Sequence, residues 1–191
     1  APIFSDLSDA LKELKPDMAI ICTPTFTHYP MLKECIENKV HCLIEKPLSL
    51  NMEEGLMIKK LQDDNPDLKI SVGYLTSHYQ HVKYLKKNLK KFGKINNIKT
   101  KYYMSFITDK NNPGWETKKS LSGGGVVLNA AIHNINTLCT ILGTDYKILT
   151  SKADRIFSEE VEDSLKAEIL LGKNKTELDF NWSLNGYPTP K

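Results

Sequence analysis

Cysteine is scarce and unpatterned in this chain. Its 191 residues hold four, Cys22, Cys35, Cys42 and Cys139. None forms a C-x-x-C pair, and no Cys/His cluster has zinc-ligand spacing, which argues against a structural zinc or a redox pair. Three of the four have apolar neighbours in expected strands or helices, so they read as reduced, buried thiols of a cytoplasmic protein. Excess charge is lacking too: 26 basic against 23 acidic residues leave a net charge of +3, too mild for a nucleic-acid partner. The densest basic stretch, 83–91, sets Leu85 and Leu89 between its lysines and reads as the solvated face of an amphipathic helix. No uninterrupted apolar run approaches the ~20 residues of a bilayer span, so no membrane partner is expected. A G-x-G-x-x-G turn is absent. So is an initiator methionine: the chain opens on Ala1-Pro2, as if entered partway through a longer protein.

What remains is ordinary globular composition, 40% hydrophobic and 26% charged, with enough length for one large or two small cores. The first third alternates element types. Asp6 and Ser8 offer caps for a short helix stopped by Pro16. Residues 18–22 form an apolar strand ending in Thr23-Pro24-Thr25. Thr27 is placed to cap a helix reaching Asn38, with Pro30 in its first turn. Residues 40–44 are a second strand, Asn51 caps a helix over 52–62, and 68–72 are a third strand closed by Gly73. Strands separated by such helices predict βαβ units and a parallel sheet. Beyond them a helix over 79–91 leads to period-two alternation over 95–107, where Tyr102 and Tyr103 face opposite ways. Cleaner alternation follows over 177–184, preceded by 165–171 and a hairpin turn at Gly172-Lys173. This predicts an antiparallel sheet with one open face.

Two places stand out chemically. The 40–44 strand runs straight into Glu45-Lys46-Pro47, and ligands of open α/β sheets bind beyond the carboxyl ends of such strands. Lys46 there either polarises a substrate oxygen or is a surface lysine paired with Glu45. Gly123-Gly124-Gly125 opens a helix expected to reach Leu142, apolar on most sides but carrying Asn129, His133 and Asn136 on one face. Such a stripe either meets internal partners, His133 then being a satisfied core histidine, or lines a cavity. The glycines do not form a dinucleotide fingerprint, since Leu128 stands where the third glycine would fall. They read instead as permitting a close backbone approach.

These segments, in this order, resemble the Gfo/Idh/MocA family: Ile21-Cys22-Thr23-Pro24-Thr25 with His28, Glu45-Lys46-Pro47, Val72-Gly73-Tyr74, Phe92-Gly93-Lys94-Ile95, and the triple glycine through His133. The resemblance implies an α/β plus α+β chain. Residues 1–75 would be the C-terminal part of a Rossmann domain. Residues 76–191 would be a mostly antiparallel sheet domain with helices on one face, for substrate binding and homo-oligomer formation, cut short at its carboxyl end. It further implies an oxidoreductase passing a hydride between a carbohydrate secondary hydroxyl and NAD or NADP. Thr23, Pro24, Thr25, His28, Glu45 and Lys46 would lie along the cofactor. Lys46, His133 and Asn129 would be catalytic, with Trp115 as a further substrate contact and Tyr103 either a weaker one or a residue facing solvent on the sheet. The loop 109–120, with Asn112 and Trp115, either closes over a sugar or is a plain surface connection.

Three departures qualify the resemblance. The family's opening βαβ with its phosphate loop is missing, so the chain reads as an internal fragment expected to bind the cofactor poorly and to be inactive alone. Asn129 replaces a common Asp, and Ser77 replaces a common Arg. Two other readings therefore stay open: an NAD-dependent glycoside hydrolase of the same fold, and a non-catalytic sugar-sensing or partner-binding subunit.

Overall fold

A computed structural model describes residues 2–95, 97–105 and 114–183. The chain forms two compact units, Ala1–Gly73 and Tyr74–Lys191.

The first unit begins with α1 (Leu7–Leu14), whose amino end is closed by the Asp6 carboxylate accepting the Ser8 N–H at 2.8 Å. It continues through β1 (Met18–Ile21), a 3-10 turn (Thr25–Thr27), α2 (His28–Glu37), β2 (His41–Ile44), α3 (Met52–Asp64) and β3 (Ile70–Val72). The strands are parallel in the order β1-β2-β3. That order follows from two βαβ steps, since a parallel neighbour needs a crossover and a helix supplies it. Asn51 caps α3 as expected, accepting the Glu54 N–H at 2.9 Å, while the Glu54 carboxylate returns to the Leu50 N–H at 2.9 Å. The core is built from Leu11, Ile21, Leu32, Cys35, Ile36, Val40, Cys42, Ile44, Ile58 and Leu68.

In this unit the first strand has one open face, and two expectations are corrected. Met18 and Ile20 of that strand are 57% and 60% exposed, because its alternate side chains point away from the helices. Cys22 is likewise exposed, although Cys35 and Cys42 are buried, unbridged thiols. Thr27 does not cap α2 through its side chain. Its hydroxyl turns back to donate to the Pro24 carbonyl at 2.8 Å, which winds residues 25–27 into the 3-10 turn instead.

The second unit holds α4 (Gln80–Asn88), β4 (Ile98–Ser105), α5 (Lys119–Ser122), α6 (Ile132–Leu142), β5 (Tyr146–Asp154), β6 (Ser164–Leu171) and β7 (Asn174–Ser183). Its sheet order is β4-β7-β6-β5. The expected hairpin is present between β6 and β7, with Gly172 at positive φ in the turn. The sheet is mostly antiparallel, as expected, with one parallel seam where β4 meets β7. The strand β5 was not expected at all: its side chains are exposed along almost its whole length, so no alternation marks it. Val126, Ala130 and Ala131 pack on Leu165, Ile169, Leu171, Leu178 and Phe180, placing the helical segment on one face of the sheet.

That segment departs from a simple helix. A short α5 ends at Gly123 (φ 79°), a π turn spans Val127–Ala131, and α6 follows. By length and composition alone, Lys119–Leu142 is long and apolar enough to cross a membrane, which a search for uninterrupted apolar runs overlooks. It packs on the sheet through Val126, Ala130 and Ala131, while α6 itself carries no fully buried residue.

Candidate functional site

In the first unit the loops following the carboxyl ends of β1 and β2 are joined by one side chain. His28 is 1% exposed, and its ring bridges two backbone carbonyls, Nδ1 to Pro47 O at 2.8 Å and Nε2 to Thr23 O at 2.9 Å. The expectation that His28 lies along the cofactor is thereby corrected. Both ring nitrogens are spent on main chain, so the imidazole fixes Thr23-Pro24 relative to Glu45-Lys46-Pro47 rather than facing a ligand. Thr25 is also 1% exposed and belongs to the support of the loop. Thr23 and Pro24 are partly exposed. The Thr27 proton goes to Pro24 O, so Thr23 Oγ1, 2.5 Å away, is the donor to Thr27, and it also lies 3.4 Å from Met31 Sδ.

The sheet ladder continues into the second loop, with the Glu45 N–H bonded to Ile21 O at 2.9 Å and the Gly73 N–H to Ile44 O at 2.8 Å. Glu45 is exposed, and its carboxylate accepts the Lys46 N–H at 3.2 Å. A Cβ on Gly73 would stand 3.3 Å from that carboxylate, so the small residue lets Glu45 fold back there. Lys46 is half-buried, and the Lys46–Pro47 peptide is cis. The structure thus gathers Thr23, Pro24, Glu45 and Lys46 at one edge of the parallel sheet, tied by His28.

In the second unit, Asn129 lies within the π turn and His133 just after it, at the start of α6. Both are half-buried. Wide turns of this kind recur at functional sites because they re-aim side chains out of the regular helical register. The His133 carbonyl receives hydroxyl bonds from Thr76 at 3.3 Å and Thr137 at 2.9 Å, which pins the helix to the 3-10 turn Leu75–His78. Nearby, Ser77 Oγ donates to Tyr74 O at 2.7 Å, so its hydroxyl is engaged in the turn. Burial pushes the Tyr74 phenol above its usual pKa. Asn136 Oδ1 is buried without a hydrogen-bond partner among the described residues. An amide oxygen in that state costs about 1–3 kcal/mol unless a partner arrives.

Two other expected contacts do not join this stripe. Tyr103 pairs across the sheet with Asn181, and its hydroxyl donates to Asp179 at 2.5 Å. Its β7 neighbour Phe180 points into the helix-covered core, so Tyr103 lies on the opposite face from the helix carrying His133. Trp115 is half-buried in a 3-10 turn, Trp115–Thr117. Asn112 and the rest of 109–113 lie outside the described residues. A shallow recess of about 530 Å³ opens over Lys101, Lys166, Glu168 and Asp179 on that outer face, and neither Asn129 nor His133 lines it.

The triple glycine has a specific partner that spacing did not disclose. A Cβ on Gly125 would stand 1.8 Å from the Glu162 carbonyl oxygen, so only glycine fits. Glu162 Oε1 accepts the N–H groups of Gly125 and Val127 at 2.9 and 3.1 Å, and the Glu162 carbonyl accepts that of Val126 at 2.8 Å. This helix start is therefore filled by the protein's own carboxylate, leaving no cradle for a cofactor phosphate. The loops after β1 and β2 do offer groups that can hold part of such a cofactor: the Thr23 hydroxyl, the exposed Glu45 carboxylate and the half-buried Lys46 ammonium. Among the described residues no cluster of His, Cys, Asp and Glu could hold a metal.

Residues 1–74 match the model of an oxidoreductase family with an NAD-binding Rossmann fold, and 82–187 match the Gfo/Idh/MocA C-terminal domain. Scyllo-inositol 2-dehydrogenase (NAD(+)) of Bacillus subtilis is 28% identical over 140 residues, covering 73% of this chain and 39% of that enzyme. The WlbA dehydrogenase of Bordetella pertussis, solved with NADH and UDP-GlcNAcA, superposes with a TM-score of 0.84 at 21% identity, over 97% of this chain and 58% of WlbA. Levoglucosan dehydrogenase, solved with NADH and levoglucosan, gives 0.84 at 20% identity, over 97% and 52%. The chain spans about two-fifths of the first curated relatives and just over half of these structures. With both of its units matched in order, the chain belongs to the Gfo/Idh/MocA family.

Proposed function

We propose that the protein is a nicotinamide-dependent oxidoreductase acting on a secondary hydroxyl of a sugar, polyol or nucleotide sugar. The observation that carries this reading is the stripe on an otherwise apolar helix. Asn129 lies within the π turn and His133 just after it, and a buried Asn136 oxygen lacks a partner among the described residues. A buried amide oxygen such as that of Asn136 is not kept unpaired without something to meet it. The bound nicotinamide, NAD or NADP, would supply the hydride acceptor. His133 takes the hydroxyl proton as general base. Lys46 donates a hydrogen bond to the same oxygen and stabilises the charge that develops on it. Asn129 orients substrate or imidazole without adding charge. Thr23, Pro24 and Glu45 hold the ribose end of the cofactor, and His28 keeps their two loops together. The exposed face of the second sheet carries both Lys101, Lys166 and Glu168, Asp179, and this mixed-sign surface would pair with a second copy.

The test is turnover of the whole protein on a panel of polyols, sugars and nucleotide sugars with NAD+ and with NADP+, followed by absorbance of the reduced cofactor. Lys46→Ala and His133→Ala are each expected to lower kcat/KM at least about tenfold. Wild-type turnover in both variants would remove the catalytic assignment. Release of free sugar without net cofactor reduction would point instead to glycoside cleavage.

A further inference from the structure

The loop that grips the helix start is itself held by an unusual amount of hydrogen bonding. Asp163 is 0% exposed, and its carboxylate accepts the N–H groups of Ile156 at 2.9 Å, Phe157 at 2.6 Å and Ser158 at 2.7 Å. Val161, 1% exposed, anchors the same loop in the sheet core, and its N–H reaches Ser158 Oγ at 3.3 Å. Glu160 in turn closes the start of α5 by accepting the Lys119 N–H at 3.0 Å. Between these fixed points stands Glu162. It alone satisfies the N–H groups of residues 125, 126 and 127, three of the four donors a helix start leaves unmade. The fourth belongs to Leu128, and the first donor beyond these four, Asn129 N, bonds to Gly125 O at 3.0 Å. The setting of Asn129, and of His133 one turn on, therefore depends directly on where Glu162 holds Gly125 and Val127.

We propose that Glu162 is a positioning residue for the reaction: its carboxylate oxygen, clasping the Gly125 and Val127 N–H groups, sets the rotation of the helix that presents Asn129 and His133. This rests on the reading of His133 as the proton acceptor. Glu162 is not placed to meet substrate through these bonds, since they occupy its oxygen with main chain. Its role is geometric, and the geometry needs an acceptor at that reach more than it needs a charge. Displacements of about 1 Å at a reacting group can cost as much as a hundredfold in rate.

The experiment compares Glu162→Gln, Glu162→Asp and Glu162→Ala in the whole protein, on whichever alcohol of the panel turns over fastest, with His133→Ala alongside. Glutamine keeps an acceptor oxygen at the same reach; aspartate keeps the charge and falls short by one methylene. Glu162→Gln is expected to retain kcat within about threefold, while Glu162→Asp and Glu162→Ala lose about tenfold or more in kcat with KM nearly unchanged. Amide exchange over 123–131 should accelerate in the same two variants. Should the alanine variant fail to fold, the Gln–Asp contrast carries the test. Wild-type kcat in the aspartate or alanine variant would overturn the proposal, and so would a glutamine variant as impaired as the alanine one. If His133→Ala is inactive while the Glu162 variants are unaffected, only this inference falls. If His133→Ala turns over normally, the reading of His133 as proton acceptor falls, and this inference with it.

Discussion

His28 shows how much a single buried side chain does in this protein. Its ring is the link between the loops after β1 and β2, and removing it strands the carbonyls of Thr23 and Pro47 in a closed space. Replacement by alanine should cost about 2–4 kcal/mol, combining a cavity with unpaired acceptors, and urea unfolding would measure it. Gly125→Ala should be at least as damaging, because the new methyl meets backbone rather than a yielding side-chain tip. The residue types at both places were conspicuous in the sequence, but their partners were not. Thr23-Pro24 followed by His28 marked a loop of interest without disclosing that the imidazole turns inward. The triple glycine signalled a close approach, while the approaching residue, Glu162, lies 37 positions away. Only an acidic pair, Glu162-Asp163, ahead of an alternating strand hinted at it.

At the scale of elements, periodicity reported what was buried on one side and little else. Thr176, Leu178 and Phe180 are buried at alternate positions of β7, and that strand was plain in the sequence. The exposed β5 offered no such rhythm, with Tyr146 and Ile148 about 60% exposed. The π turn was invisible for a different reason: one-residue changes in helical winding leave the apolar pattern nearly intact. Loop 155–163 has almost no apolar pattern, and its order comes from one carboxylate. Asp163→Asn removes the charge from three or more hydrogen bonds at once, so unfolding should show a loss of about 2–4 kcal/mol. Glu160→Ala affects one exposed N–H bond and should stay within about 1 kcal/mol.

Taken whole, the chain is two units with different rules of assembly. The first is three parallel strands joined by local helical crossovers, and its parallel pairing could be read from the alternation of element types. The second could be read as a sheet with one open face, but not as β4-β7-β6-β5, because alternation says which face is buried and never which strand is the neighbour. Alkaline stability offers a check on the second unit. Burial raises the Tyr74 phenol above its ordinary 10.0. The folded form therefore holds this proton more tightly than the unfolded chain. Its contribution is intact below pH 10.0 and drains away as pH climbs through the folded value. Unfolding midpoints above that pH should fall more steeply in the wild type than in Tyr74→Phe, and equal slopes would contradict the assignment.

The parallel seam between β4 and β7 carries a further consequence. The segment of this sheet that leaves the ribosome earliest has as its neighbour the one that leaves last, whereas β5, β6 and β7 zip together by short returns. Nascent chains in which 174–183 have not emerged should thus expose 98–105 to protease, and protection should appear only once that strand is outside the ribosome.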